Sequence, residues 1–192
     1  MRHLGSSIVF VSVACLLSCS STSETETPLR AYVGAVERST VRVGLATEGG
    51  RAEIFFCGDR SNASTHTQWF NVTAAPGASF QTKVGTWTID GHYDAGSAAG
   101  TVDFGDGGKL AWSAQAQPTD SVNGLYEGTD EDGGRAGVII ADVPQGVFIS
   151  GPRDEFSQIT PLFPVVKTSQ GIAVKFTVGK VERRINLLPA RP

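Results

Sequence analysis

The amino-acid sequence predicts an all-β fold, a single small antiparallel β-barrel or β-sandwich, on three observations. Apolar and polar residues alternate with a period of two, as they do in strands with one buried face. Such runs are 41–46, 110–115 and 172–178. Glycine pairs separate the runs and supply the positive φ angles that tight hairpins need. These pairs are 49–50, 107–108 and 133–134. Finally, roughly nine or ten strand candidates follow one another at a spacing of about 8–15 residues, which is typical of barrels and sandwiches.

The first element along the chain is a short apolar segment, residues 8–17, behind the positive charge of Arg2. A membrane-spanning helix needs about 20 apolar residues. A run of roughly ten has the length of the hydrophobic region of a secretory signal instead. We therefore interpret residues 1–18 as a signal peptide that takes no part in the fold.

The segment ends on Leu16-Leu17-Ser18-Cys19, which resembles the lipobox of bacterial lipoproteins: an aliphatic residue, a tolerant position, a small residue and a cysteine. In that family a dedicated signal peptidase cuts before the cysteine, and the cysteine carries the lipid. The resemblance implies peptidase recognition through Leu16, Leu17 and Ser18. It also implies a mature protein that begins at Cys19 and carries acyl chains such as palmitate there. The alternative is an ordinary signal peptide with chance cysteines, Cys15 among them.

Residues 19–28 follow as a polar stretch that contains two glutamates and no aromatic residue. This composition cannot bury enough apolar surface to fold, and it predicts a flexible tether. The resemblance implies an exported protein held on a membrane by the lipid on Cys19, because two or more acyl chains anchor a protein stably. Ser20 stands where family members retained on the inner membrane have aspartate. The outer membrane is therefore favoured in a cell that has two membranes.

Residues 29–192 are predicted to form the all-β domain. The chain has 16 Lys+Arg and 19 Asp+Glu, with no basic stripe, so its charge gives no indication of a nucleic-acid partner. Cys57 is the only cysteine in this part of the chain, which excludes an internal disulfide. The stability of the domain must therefore come from an apolar core.

A faint internal repeat adds to this prediction. Tyr32 and Gly34 recur at the same offsets as Tyr126 and Gly128, and the hairpin patterns that follow end in "FFCG" and "FISG". Two related halves that close one barrel or sandwich would explain the repeat, and chance similarity between hairpins would explain it equally well. The overall order of these motifs is similar to that of uncharacterised exported bacterial β-domains, a likeness that implies no activity.

Three residues of the domain could carry chemistry: Cys57, His66 and His92. A zinc site needs three or four ligands in defined geometry, and neither histidine has a ligand partner at a recognisable spacing. No metal or other cofactor is therefore expected. Cys57 ends an apolar run, and a free cysteine there more often packs as a small hydrophobe than acts as a nucleophile.

The leading functional hypothesis is a lipid-anchored cell-envelope protein with a non-enzymatic binding domain, because strands, turns and core account for most residues. Its partners would be the membrane, through Cys19, and an unidentified protein or small molecule. One alternative is a small-ligand carrier, whose barrel would be hollow. The other is an envelope hydrolase, which would place His66 or His92 in a cleft beside Asp, Ser or Cys57.

Overall fold

The computed structural model describes residues 28–150, 155–159, 165–168 and 170–192. The predicted signal peptide, the lipobox with Leu16, Leu17, Ser18 and Cys19, and the tether up to residue 27 lie outside these described residues. Within them the chain forms 15 strands in two antiparallel sheets, which confirms the predicted all-β class. No helix in the described ranges has the length and apolar character needed to cross a membrane.

The first sheet contains β1 Arg30–Val36, β2 Arg42–Glu48, β3 Arg51–Cys57, β4 Gln68–Thr73, β5 Ser79–Val84, β6 Trp87–Tyr93, β7 Ser97–Asp103 and β8 Lys109–Ala116. Its spatial order is β4-β3-β2-β1-β8-β7-β6-β5. Nearly every strand therefore pairs with its neighbour in the chain, and β1 also pairs with β8. The two outer strands, β4 and β5, lie against each other. The sheet is therefore a nearly closed up-and-down barrel, which we call the first barrel.

Aromatic side chains occupy the interior of the first barrel. They are Tyr32, Phe56, Phe70, Phe80, Trp87, Tyr93 and Trp112. Phe56 lies at the centre, with ring centroids 5.9 Å from Phe70, 6.1 Å from Trp87 and 6.0 Å from Trp112. These are edge-to-face distances that stabilise aromatic clusters. The inward positions of the alternating strands are therefore filled by large rings.

The second sheet contains β9 Gly124–Thr129, β10 Arg135–Ile140, β11 Gln145–Ser150, β12 Glu155–Gln158, β13 Val166–Lys167, β14 Ile172–Val178 and β15 Val181–Pro189. Its order is β12-β11-β10-β9-β15-β14-β13. It curves into a half-barrel around a separate apolar core that includes Phe148, Val174 and Phe176.

The two sheets correspond to the two halves of the sequence repeat. Tyr32 and Gly34 lie on β1, which pairs with β2 and β8. Tyr126 and Gly128 lie on β9, which pairs with β10 and β15. The repeated residues therefore occupy equivalent strands, and each half builds a sheet of its own rather than half of one shared barrel.

The two sheets meet face to face in a third apolar cluster, which we call the junction. Its buried members are Ala46, Phe55, Cys57, Ala63, Leu125, Ile139, Val147 and Ala190. Two glycines let the sheets approach closely: a Cβ on Gly44 would lie 3.0 Å from Ile139, and one on Gly137 would lie 2.4 Å from Trp69. Buried Gln145 adds a polar link, since its Nε2 donates to the carbonyl of Cys57 at 2.6 Å.

Candidate functional site

Cys57 lies inside the junction and is fully buried. Burial raises the pKa of its thiol to about 12, and the side chain of Gln145 offsets only part of that shift. The thiol therefore stays protonated at neutral pH. Because the nucleophilic form of cysteine is the thiolate, this environment supports a packing role for Cys57.

The two histidines lie in different surroundings. His66 follows the loop after β3, where its Nδ1 is 2.8 Å from the Thr65 hydroxyl and its ring packs 4.4 Å from that of Phe104. His92 is exposed on the outer face of β6. Across the parts of the chain that the structure describes, no group of three or more His, Cys, Asp or Glu residues could hold a metal ion. Cys57 and the two histidines, the candidate residues from the sequence, therefore do not form a shared site.

The structure instead shows a cleft beside the junction, which we call the junction cleft. Its lining residues are Glu127, Gly128, Thr129, Arg135, Leu188, Pro189 and Arg191, and its volume is about 420 Å³. The cleft forms where β15 ends against β9, since only Leu188 and Pro189 of β15 pair with that strand. Leu188 is 53% exposed there, so the cleft offers an apolar side chain beside charged ones.

One ion pair and one cation–π contact connect the junction cleft to the first barrel. Arg135 Nη2 lies 3.4 Å from Glu127 Oε2, and the Arg135 guanidinium lies over the Trp69 ring at 5.5 Å from its centroid. Arg191 Nη1 lies 3.7 Å from Glu48 Oε1. The electron-rich face of the aromatic ring attracts the guanidinium. More than half of the Arg135 and Arg191 side chains remains exposed, so both can reach a partner.

Glu53 of β3 is the buried carboxyl group next to this cleft. Phe55 and Cys57 follow at alternate positions and belong to the junction, so Glu53 faces the second sheet and is only 6% exposed. Burial, with a further contribution from Glu127, raises its pKa from 4.5 to about 7, and Arg135 opposes that shift. No described residue donates a hydrogen bond to this carboxyl group.

Sequence reasoning missed Glu53, Glu127, Arg135 and Leu188. One signal was present: in "AEIFFC", residues 52–57, both faces of the strand are apolar except at Glu53. Apolar residues on both faces indicate a strand covered on both sides, which would have marked Glu53 as a buried charge. Nothing in the alternation pattern points to the other three residues.

Comparison with known proteins found no relative of this chain. No protein-family model, curated protein or solved structure matches the chain.

Proposed function

We propose that the protein is a lipid-anchored component of a bacterial cell envelope whose β-domain binds another protein and catalyses no reaction. The lipobox resemblance at Cys19 supports the anchor and the location. The junction cleft supports the binding role, because it combines exposed Leu188 with two reachable arginines, one of them held on Trp69. Arginine and tryptophan are the residues that most often dominate protein–protein binding energy.

The chemistry of the cleft defines the kind of protein surface it would accept. Leu188 offers an apolar contact, and Arg135 and Arg191 stand beside it with free guanidinium N–H groups for a carboxylate. Their own partners, Glu127 and Glu48, are at 3.4 and 3.7 Å, distances of weak surface pairs. The favoured partner therefore presents an apolar side chain flanked by acidic residues.

Cys19→Ala tests the anchor. The full chain, expressed in a bacterium fed labelled palmitate, should lose all lipid label when Cys19 is replaced, because the thiol that accepts the lipid is absent. Cys15→Ala is the matched control and should keep the label. Label that persists in Cys19→Ala would contradict an anchor at this residue.

Native mass spectrometry of the β-domain, residues 29–192, distinguishes the protein-binding hypothesis from the alternative of a small-ligand carrier. We expect the bare mass of the polypeptide, because aromatic rings occupy the interior of the first barrel, where a carrier would need a cavity of a few hundred Å³. A reproducible small-molecule adduct that disappears on denaturation would contradict the proposal in favour of a carrier.

A further inference from the structure

Glu53 lies where the two sheets come closest. In the first barrel its register partners are Ala46 on β2 and Asn71 on β4. Two residues further along β3, and therefore on the same face, Phe55 stacks on Trp69 at a centroid distance of 4.1 Å. That ring in turn occupies the space above Gly137 of β10. The carboxyl group therefore lies at the edge of a tightly packed contact between the sheets.

The charged groups around Glu53 come from several elements. Glu127 projects from β9 and Arg135 from β10, and these two are already paired with each other. At the rim, Glu48 at the end of β2 pairs with Arg191, while Arg51 precedes Glu53 on the same face of β3 and is exposed. The described residues of β4 and β11 contribute no charged side chain.

The positive charge of Arg135 can compensate the negative charge of one carboxylate, either Glu127 or Glu53, but not of both. The Arg135 guanidinium is divided between Glu127 and the Trp69 ring, and no cationic group of the described residues lies within ion-pair distance of Glu53. An ionised Glu53 would therefore be a largely buried charge without an ion-pair partner, close to the negative charge of Glu127. Such a charge is costly in a packed interface.

We propose that the junction is a proton-dependent contact: a neutral Glu53 permits the close packing of the two sheets, and its ionisation weakens that packing. The raised pKa of Glu53 gives the direction in which stability changes with pH. The folded chain holds the proton up to about pH 7, whereas the exposed group has a pKa of 4.5. The stabilising contribution is therefore complete below pH 4.5 and is lost as the pH rises towards 7 and above. The junction cleft, whose Glu127 and Arg135 face Glu53, would loosen over the same range.

Amide hydrogen exchange of the detergent-solubilised full chain at pH 5 and pH 8 tests this inference, after correction for intrinsic exchange rates. Protection of β3 and β10 should fall on the order of 50-fold from pH 5 to pH 8. Strands β6 and β7, on the far side of the first barrel, should change much less. Equal changes in all four strands, or none in β3 and β10, would overturn the inference.

Glu53→Gln should abolish the pH-dependent loss of protection in β3 and β10, because the amide cannot ionise. Glu182→Gln is the matched control: this exposed residue pairs with Lys175 at 2.7 Å on the distant β14–β15 hairpin, and its replacement should leave the wild-type response unchanged. Retention of the response in Glu53→Gln would overturn the inference.

Glu127→Gln provides a test that does not require replacing Glu53. The change removes the negative charge next to Glu53 and releases Arg135 from its pair with Glu127. Both effects favour the ionised form of Glu53, so the pH midpoint of the protection change should move to lower pH. An unchanged midpoint would show that the group that titrates does not lie next to Glu127, and it would overturn the inference.

Discussion

Gly34→Ala should lower the free energy of unfolding by about 3 kcal/mol, at the upper end of the range for overpacked sites. A Cβ at this position would lie 1.8 Å from the Ser113 carbonyl oxygen and 2.5 Å from the Cα of Ala114. Both are backbone atoms of β8, which pairs with β1 in register at Gly34 and Ala114. The methyl group could be accommodated only by moving the backbone of β8 away from β1. Urea unfolding followed by circular dichroism measures the change.

Gly96→Ala is the matched control for this prediction. Its Cβ would meet nothing nearer than the Asp94 carboxylate at 3.7 Å, and the residue is exposed in the turn before β7. We expect a change within about 0.5 kcal/mol, as for most surface substitutions. Similar losses of stability in both variants would contradict the close approach of β1 and β8.

Close approach of two backbones also explains why the glycine is repeated at position 128. A Cβ on Gly128 would lie 2.6 Å from the Asn186 carbonyl oxygen of β15, so β9 approaches β15 as β1 approaches β8. Glycine is required wherever two backbones come this close. The Tyr-x-Gly motif therefore lies on the first strand of each half, β1 or β9, where that strand pairs with the last one, β8 or β15.

The strands and hairpins could be predicted from local sequence. The alternating runs at 41–46, 110–115 and 172–178 became parts of β2, β8 and β14. The turn glycines also behave as expected, with φ of 57° at Gly49 and 62° at Gly179. These features depend on residues a few positions apart, where side-chain periodicity and glycine conformation carry the information.

The junction could not be predicted in the same way. Glu53 meets Glu127 and Arg135, which follow it by more than seventy residues in the sequence. Alternation shows which residues share a face of a strand, but it does not show which sheet covers that face. Cys57 illustrates the limit: its burial was expected, whereas its position between two sheets follows only from long-range packing.

A photo-crosslinking amino acid at Leu188 should capture the partner of the β-domain in intact cells. Leu188 lines the junction cleft beside Arg191, so a protein seated there would contact the probe. Val181 is the matched control, because it lies on the same strand, β15, with 56% exposure against 53% at Leu188. It lies at the other end of the strand, beside the Gly179-Lys180 turn and away from the junction cleft.

The yield and identity of these crosslinks test the central claim, that the junction cleft is the binding surface, most directly. The expected result is a discrete covalent adduct from position 188, at least tenfold more abundant than from position 181. Charge reversal in Arg191→Glu should reduce that adduct, because the acidic partner surface would be repelled. The same adducts from both positions, or none from position 188, would contradict binding at the junction cleft.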